Sequence, residues 1–199
     1  YRIISQSIII SMKAPLFEFP SYQYQVSDWN RKKKSLFKEI NKHKFIRTDL
    51  ATPTNLAYNV CMETDRLTNK KSYVRYLENI LRPELSEFSE EVEVDFYIEN
   101  AWCGRYRKGD CQGVHNHRSW GFSGILYLEF DPRIHSSTLF ASPWQNPVSD
   151  TVLVNAAQDV EEGTLLIFPS YCLHCVTPSR VSKPRTIIAF DMLPTSVTK

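Results

Sequence analysis

The sequence predicts a mainly β domain with helices packed outside it, a sandwich or jelly-roll barrel, and three observations carry that reading. Val92, Val94, Phe96 and Ile98 alternate with Glu93, Asp95, Tyr97 and Glu99, the period-two pattern of a half-buried strand. Stretches 122–130, 138–141, 151–154, 164–168 and 185–192 are short, rich in β-branched and aromatic residues, and separated by Gly, Pro, Asn and Asp. Helical spacing is confined to the first half of the chain, so helices precede a block of about seven strands.

Taken in order, Asp28 can cap a helix in which Leu36, Phe37 and Ile40 share one face. Arg31, Lys32, Lys33, Lys34, Lys38 and Lys42 give that helix a basic exterior. A nucleic-acid partner is not expected, because no aromatic stacking platform is interleaved with these cations. A second helix places Tyr73, Leu77, Ile80 and Leu81 on one stripe and stops at Pro83. The acidic stretch 84–99, with seven Asp/Glu and no base, reads as a solvated face. No repeat or low-complexity linker interrupts the chain, so 1–199 is read as one domain: an N-terminal arm over 1–26, mostly helical support over 27–90, and a jelly-roll core over 91–193.

Composition narrows the class. The 199 residues are 42% hydrophobic, enough for a buried core, and 24 basic residues nearly balance 22 acidic ones, which disfavours a protein that wraps nucleic acid. Five cysteines are an odd number in a chain too large to need staples, so a reducing, intracellular and cytoplasmic setting is expected. The apolar run Ile8, Ile9, Ile10 is too short for a signal core or a membrane span. Met12 resembles an ordinary start, and residues 1–11 are read as upstream or non-native sequence.

Among five histidines, His115 and His117 sit just before a strand and His174 follows another. Residues i and i+2 of an extended segment point to one side, so His115 and His117 can share an ion with His174 arriving from a neighbouring strand. Neutral imidazole suits Fe(II), Zn(II), Cu or Ni. His43 and His135 read as structural or exposed. Arg185, eleven positions after His174 at the head of the last strand, either enters the core, where it needs an anion such as a dicarboxylate, or pairs with a surface acid. Cys172 and Cys175 have CxxC spacing, but alternation along a strand lets only Cys172 share the side of His174, which argues against a zinc site.

The strings Val114 to Leu128 (VHNHRSWGFSGILYL), Leu165 to Ser179 (LLIFPSYCLHCVTPS) and Arg185 to Phe190 (RTIIAF) resemble the iron(II)- and 2-oxoglutarate-dependent oxygenase family of phage and bacterial genomes, with its H-x-H, F-P-S-x-x-x-H and final R pattern. The opening Leu16 to Pro20 is similar to that family's start. The resemblance implies a double-stranded β-helix (jelly-roll, cupin-like) fold. It also implies Fe(II) as cofactor, 2-oxoglutarate and O2 as co-substrates, and hydroxylation of an unknown prime substrate. By position it implies metal ligation by His115, His117 and His174, 2-oxoglutarate binding by Arg185 assisted by Tyr127, and a water-excluding wall of Ile125, Ile187 and Phe168. His117 stands where the wider superfamily has Asp or Glu, and Arg118 where this family has proline. Two alternatives stay open on the residues: a three-histidine dioxygenase that needs no keto acid, and a non-catalytic metal-binding jelly roll. Loops 133–137 and 142–150 are expected to set the substrate.

Overall fold

A computed structural model describes residues 19–50, 59–64, 72–146 and 148–195. Its elements in chain order are β1 (Tyr22–Gln25), α1 (Trp29–Ile40), β2 (Phe45–Leu50), β3 (Asn59–Thr64), α2 (Ser72–Ile80), α3 (Arg82–Glu91), β4 (Phe96–Tyr106), β5 (Cys111–His115), β6 (Phe122–Glu129), β7 (Leu139–Gln145), β8 (Val152–Ala156), β9 (Thr164–Pro169), β10 (Leu173–Val176) and β11 (Arg185–Pro194). The expectations for residues 1–11, Met12 and Leu16 to Glu18, and for the side chain of Tyr73, lie outside the described residues. No described helix is long and apolar enough to cross a membrane.

The strands form one hydrogen-bonded path, β1-β9-β6-β11-β4-β3-β5-β10-β7-β8, with β2 added on β3. All its pairings are antiparallel. The path curls back on itself: Phe140 of β7 packs edge-on against Phe168 of β9 at 4.9 Å, although six strands separate β9 from β7 in the order. This is the double-stranded β-helix, a jelly roll of two facing layers. It is not a closed barrel, because β1 and β8 end the path without pairing to each other among the described residues.

The layer containing β9, β6, β11 and β4 is buried on both faces, so its strands lack polar alternation. On β6, Leu126 and Leu128 face the helices while Ile125 and Tyr127 face inward. On β11, Ile188 and Phe190 face outward, Ile187 and Ala189 inward. Leu36 and Ile40 of α1, Leu77 of α2, Leu81 at the α2–α3 junction and Phe88 of α3 cover the outer face. Each fully buried Leu, Ile or Phe contributes on the order of 1.5–3 kcal/mol by the hydrophobic effect.

Several boundaries differ from the sequence expectation, each for a local reason. Asp28 occupies the N-cap of α1, but in the left-handed region and without a side-chain cap; its carboxylate pairs with Arg31 instead. Pro83 does not merely end a helix; it sits in the first turn of α3, where its missing N–H costs nothing. The acidic stretch is therefore partly helical, and Glu84 is buried, accepting a hydrogen bond from the Ser27 amide and facing Lys32. Val92 closes α3 and Glu93 has φ 56°, so the alternating strand begins at Phe96 rather than Val92 and runs on to Tyr106. The N-terminal arm carries β1, paired to β9, and β2 and β3 lie within the segment expected to be helical.

Two glycines answer to space. Gly121 has φ +80°, and a Cβ there would meet the Met192 carbonyl at 2.5 Å; a Cβ on Gly124 would lie 2.2 Å from the Phe190 ring. Because that ring is fully buried, Gly124→Ala is expected to cost about 1–3 kcal/mol through overpacking. Equilibrium urea unfolding measures this, and an unchanged midpoint would contradict the packing described.

Candidate active site

Three strand ends assemble the site. His115 closes β5, His117 lies two residues beyond it, and His174 is on β10, directly opposite His115 in the antiparallel register. The ring centroids are 4.2 Å apart for His115 and His174, 5.0 Å for His117 and His174, and 5.4 Å for His115 and His117. One ligand atom from each lies within 4.8 Å of the others, the only such group of His, Cys, Asp and Glu among the described residues. The three rings come together although His117 has left the strand; its amide donates to the Ser170 carbonyl at 3.0 Å.

The hydrogen bonds select the tautomer. His115 Nδ1 faces the Gly113 carbonyl at 2.9 Å, His174 Nδ1 the Cys172 carbonyl at 2.9 Å, and His117 Nδ1 the Asp191 carboxylate at 2.5 Å. Carbonyl and carboxylate oxygens only accept, so each Nδ1 carries a hydrogen, and the tautomer that binds a metal has its lone pair on Nε2. Three such Nε2 atoms suit a borderline divalent cation such as Fe(II). Burial, followed by the neighbouring His115 and His117, pushes the His174 pKa well below the usual histidine value, while the Cys172 carbonyl opposes this weakly. His174 is therefore neutral, the form that binds metal.

Asp191 is a site residue that sequence reasoning missed. On β11 it has the inward parity of Arg185, Ile187 and Ala189, and that parity was the available signal. Its Oδ1 accepts from His117 Nδ1 and from Ser123 Oγ at 3.0 Å, and Ser123 Oγ lies 2.9 Å from Ser170 Oγ. Burial raises the Asp191 carboxyl pKa, but His117, Ser123 and Arg118 together outweigh burial and hold it below the ordinary aspartate value. Arg118 also pairs with Glu99 at 2.6 Å.

Arg185 enters the core rather than pairing at the surface. It is 2% exposed, its guanidinium lies 5.4 Å from the Tyr106 ring and 5.2 Å from the Tyr127 ring, and Nη2 donates to Thr138 Oγ1 at 3.2 Å. Its Nε and Nη1 are buried and have no hydrogen-bond partner. Tyr127 Oη lies 2.7 Å from Thr138 Oγ1, so Tyr127 touches this cation by its ring and through Thr138, a second residue the sequence did not single out. A buried cation with two unspent donors fits a carboxylate. Ile125, Ile187 and Phe168 are buried on the same inner surface, with Phe168 4.9 Å from His174.

The other candidates separate from this group. His135 is structural, accepting the Asp131 amide and facing the Lys183 carbonyl. Cys172 and Cys175 do not join the metal group, and burial pushes the Cys172 thiol up to about 11, so it is no thiolate.

Fold and site together give a jelly roll with three histidines close enough to hold one metal ion beside a buried arginine. Residues 100–191, a little under half of the chain, match the family model described as "Putative 2OG-Fe(II) oxygenase". The chain is thus an oxygenase that uses Fe(II) and 2-oxoglutarate. Among solved structures it is similar to HygX from Streptomyces hygroscopicus with nickel, 2-oxoglutarate and hygromycin B bound (TM-score 0.61, 12% identity, covering 89% of this chain and 84% of that one). It is also similar to the viral collagen prolyl hydroxylase of Paramecium Bursaria Chlorella virus-1 (0.55, 13%, 86% and 94%) and to a Pseudomonas putida prolyl-4-hydroxylase (0.54, 14%, 86% and 91%). No curated protein matches the sequence.

Proposed function

We propose that His115, His117 and His174 hold Fe(II), that Arg185 with Thr138 and Tyr127 holds the far carboxylate of 2-oxoglutarate, and that the enzyme hydroxylates a prime substrate beside them. The observation that carries this is the pairing of three imidazoles, each with Nδ1 already donating, with a buried guanidinium that keeps two donors in reserve. Bound Fe(II) supplies O2 activation coupled to oxidative decarboxylation of the keto acid.

The chain's own residues bind, orient and exclude water. The backbones just before β10 and within β5 fix the His174 and His115 rings through carbonyls two residues upstream. Rings of Tyr106 and Tyr127 flank the Arg185 guanidinium, so a carboxylate reaching it meets a preformed, poorly hydrated donor. Ile125, Ile187 and Phe168 keep water from the space between metal and arginine. A cavity of about 620 Å³ runs from Phe168, Phe140 and Cys172 at its inner end to Phe19, Tyr171 and Leu153 outside, and it is the route by which a prime substrate approaches. Several cations on and just beyond α1 meet acids, Lys33 with Glu162 at 2.7 Å and Lys42 with Glu39 at 2.7 Å, which supports reading that face as solvated surface rather than a nucleic-acid site. The odd number of cysteines in a chain of this size supports a reducing, cytoplasmic setting.

Anaerobic titration of the Fe(II) protein with 2-oxoglutarate tests the proposal. A metal-to-ligand charge-transfer band that saturates at one equivalent is expected. Iron binding without any such band would move the assignment to a three-histidine dioxygenase that needs no keto acid.

A further inference from the structure

The three imidazoles are not held alike. His115 and His174 each donate to a carbonyl two residues upstream, Gly113 within β5 and Cys172 just before β10. His117 lies past the end of β5, and its Nδ1 partner is a carboxylate 74 positions away on β11. That carboxylate is positioned in turn by Ser123 of β6, which meets Ser170 beyond β9, while the Ser170 carbonyl accepts the His117 amide. A loop of contacts therefore runs from the His117 backbone through two serines and Asp191 back to the His117 ring.

Charge gives the arrangement a second consequence. Three neutral imidazoles bring no negative charge to a divalent cation in a site where His174 is 4% exposed and Asp191 7%. A buried cation without compensation is costly. Asp191 is the anion whose hydrogen bond reaches the metal group, and its other neighbours are Ser123 and Arg118, the latter shared with Glu99.

We infer that Asp191 is a positioning residue for the metal centre, acting through His117: it fixes that ring's tautomer and orientation and lends the three-histidine site the negative charge its ligands lack. The inference rests on the three-histidine reading above. Through the Nδ1–H···carboxylate bond, the carboxylate raises the donor strength of Nε2, and loss of such a partner weakens metal affinity about 10- to 100-fold.

The test uses Co(II) in place of iron, with affinity and paramagnetic proton NMR as readouts. Wild type is expected to bind one Co(II) and to show three shifted, exchangeable imidazole N–H resonances. In Asp191→Asn, one of these should move or vanish by exchange while two stay, and Co(II) affinity should fall by about 10- to 100-fold. Ser123→Ala, which keeps the charge and removes one hydrogen bond to it, should disturb the same resonance with a smaller loss. Unchanged resonances or unchanged affinity in Asp191→Asn overturns the inference; should that variant not fold, an undisturbed resonance in Ser123→Ala does so. Failure of wild type to bind one equivalent of Co(II) would instead remove the three-histidine reading itself.

Discussion

Replacing His174 by alanine is expected to abolish stoichiometric Fe(II) binding. His174 is the most buried of the three imidazoles and the one nearest both others, with centroids 4.2 and 5.0 Å away. Its removal leaves two ligands on a single stretch of chain, His115 and His117, unable to enclose a cation from opposite strands. The vacated volume lies against Phe168 and Phe140, so some stability goes as well, on the order of 2–4 kcal/mol for a large-to-small core change. Circular dichroism separates the two effects, because the metal is expected to be lost from protein that remains folded. A folded His135→Ala variant, in which a histidine outside the group is removed, should keep its iron. Full iron occupancy in His174→Ala would take His174 out of the site and end the triad.

Arg185→Leu is expected to separate co-substrate from metal. The leucine fills much of the volume between Tyr106 and Tyr127 and removes the cation whose Nε and Nη1 have no partner in the protein. Losing a charge-assisted, bidentate pair in a low-dielectric pocket should cost about 2–4 kcal/mol, roughly 30- to 800-fold in 2-oxoglutarate affinity. Iron binding should persist, since Arg185 ligates nothing. The stability of the variant is expected to rise or stay level, because a buried guanidinium without an anion is unfavourable in the free protein. Calorimetry on the iron-loaded forms decides: equal affinity in wild type and Arg185→Leu would remove Arg185 from the carboxylate site.

The legibility of this molecule followed the range of each interaction. Short β-branched and aromatic runs bounded by turn residues located β6, β9 and β11 to within a few residues, because a strand buried on both faces must be apolar along its length wherever it pairs. Period-two alternation misplaced the start of β4, where Val92 and Val94 keep the alternating pattern but the backbone is committed to ending α3. Strands β2, β3, β5 and β10 carried too little hydrophobic pattern to be seen; they are strands because neighbours offer them free edges.

The same division runs through the site. Sequence by itself determined the ligand candidates, since the i, i+2 spacing of His115 and His117 and the strand-end place of His174 are local facts of chain geometry. It also determined that Arg185, heading a strand of apolar residues, either found an anion or stayed outside. Only the tertiary structure decided that Arg185 is buried between two tyrosines with donors to spare, that Thr138 shares it, and that Asp191 stands behind His117. Those facts depend on β6, β7, β9 and β11 meeting around one interior, and contacts between residues 47, 68 and 74 positions apart leave no periodic trace in the chain that makes them.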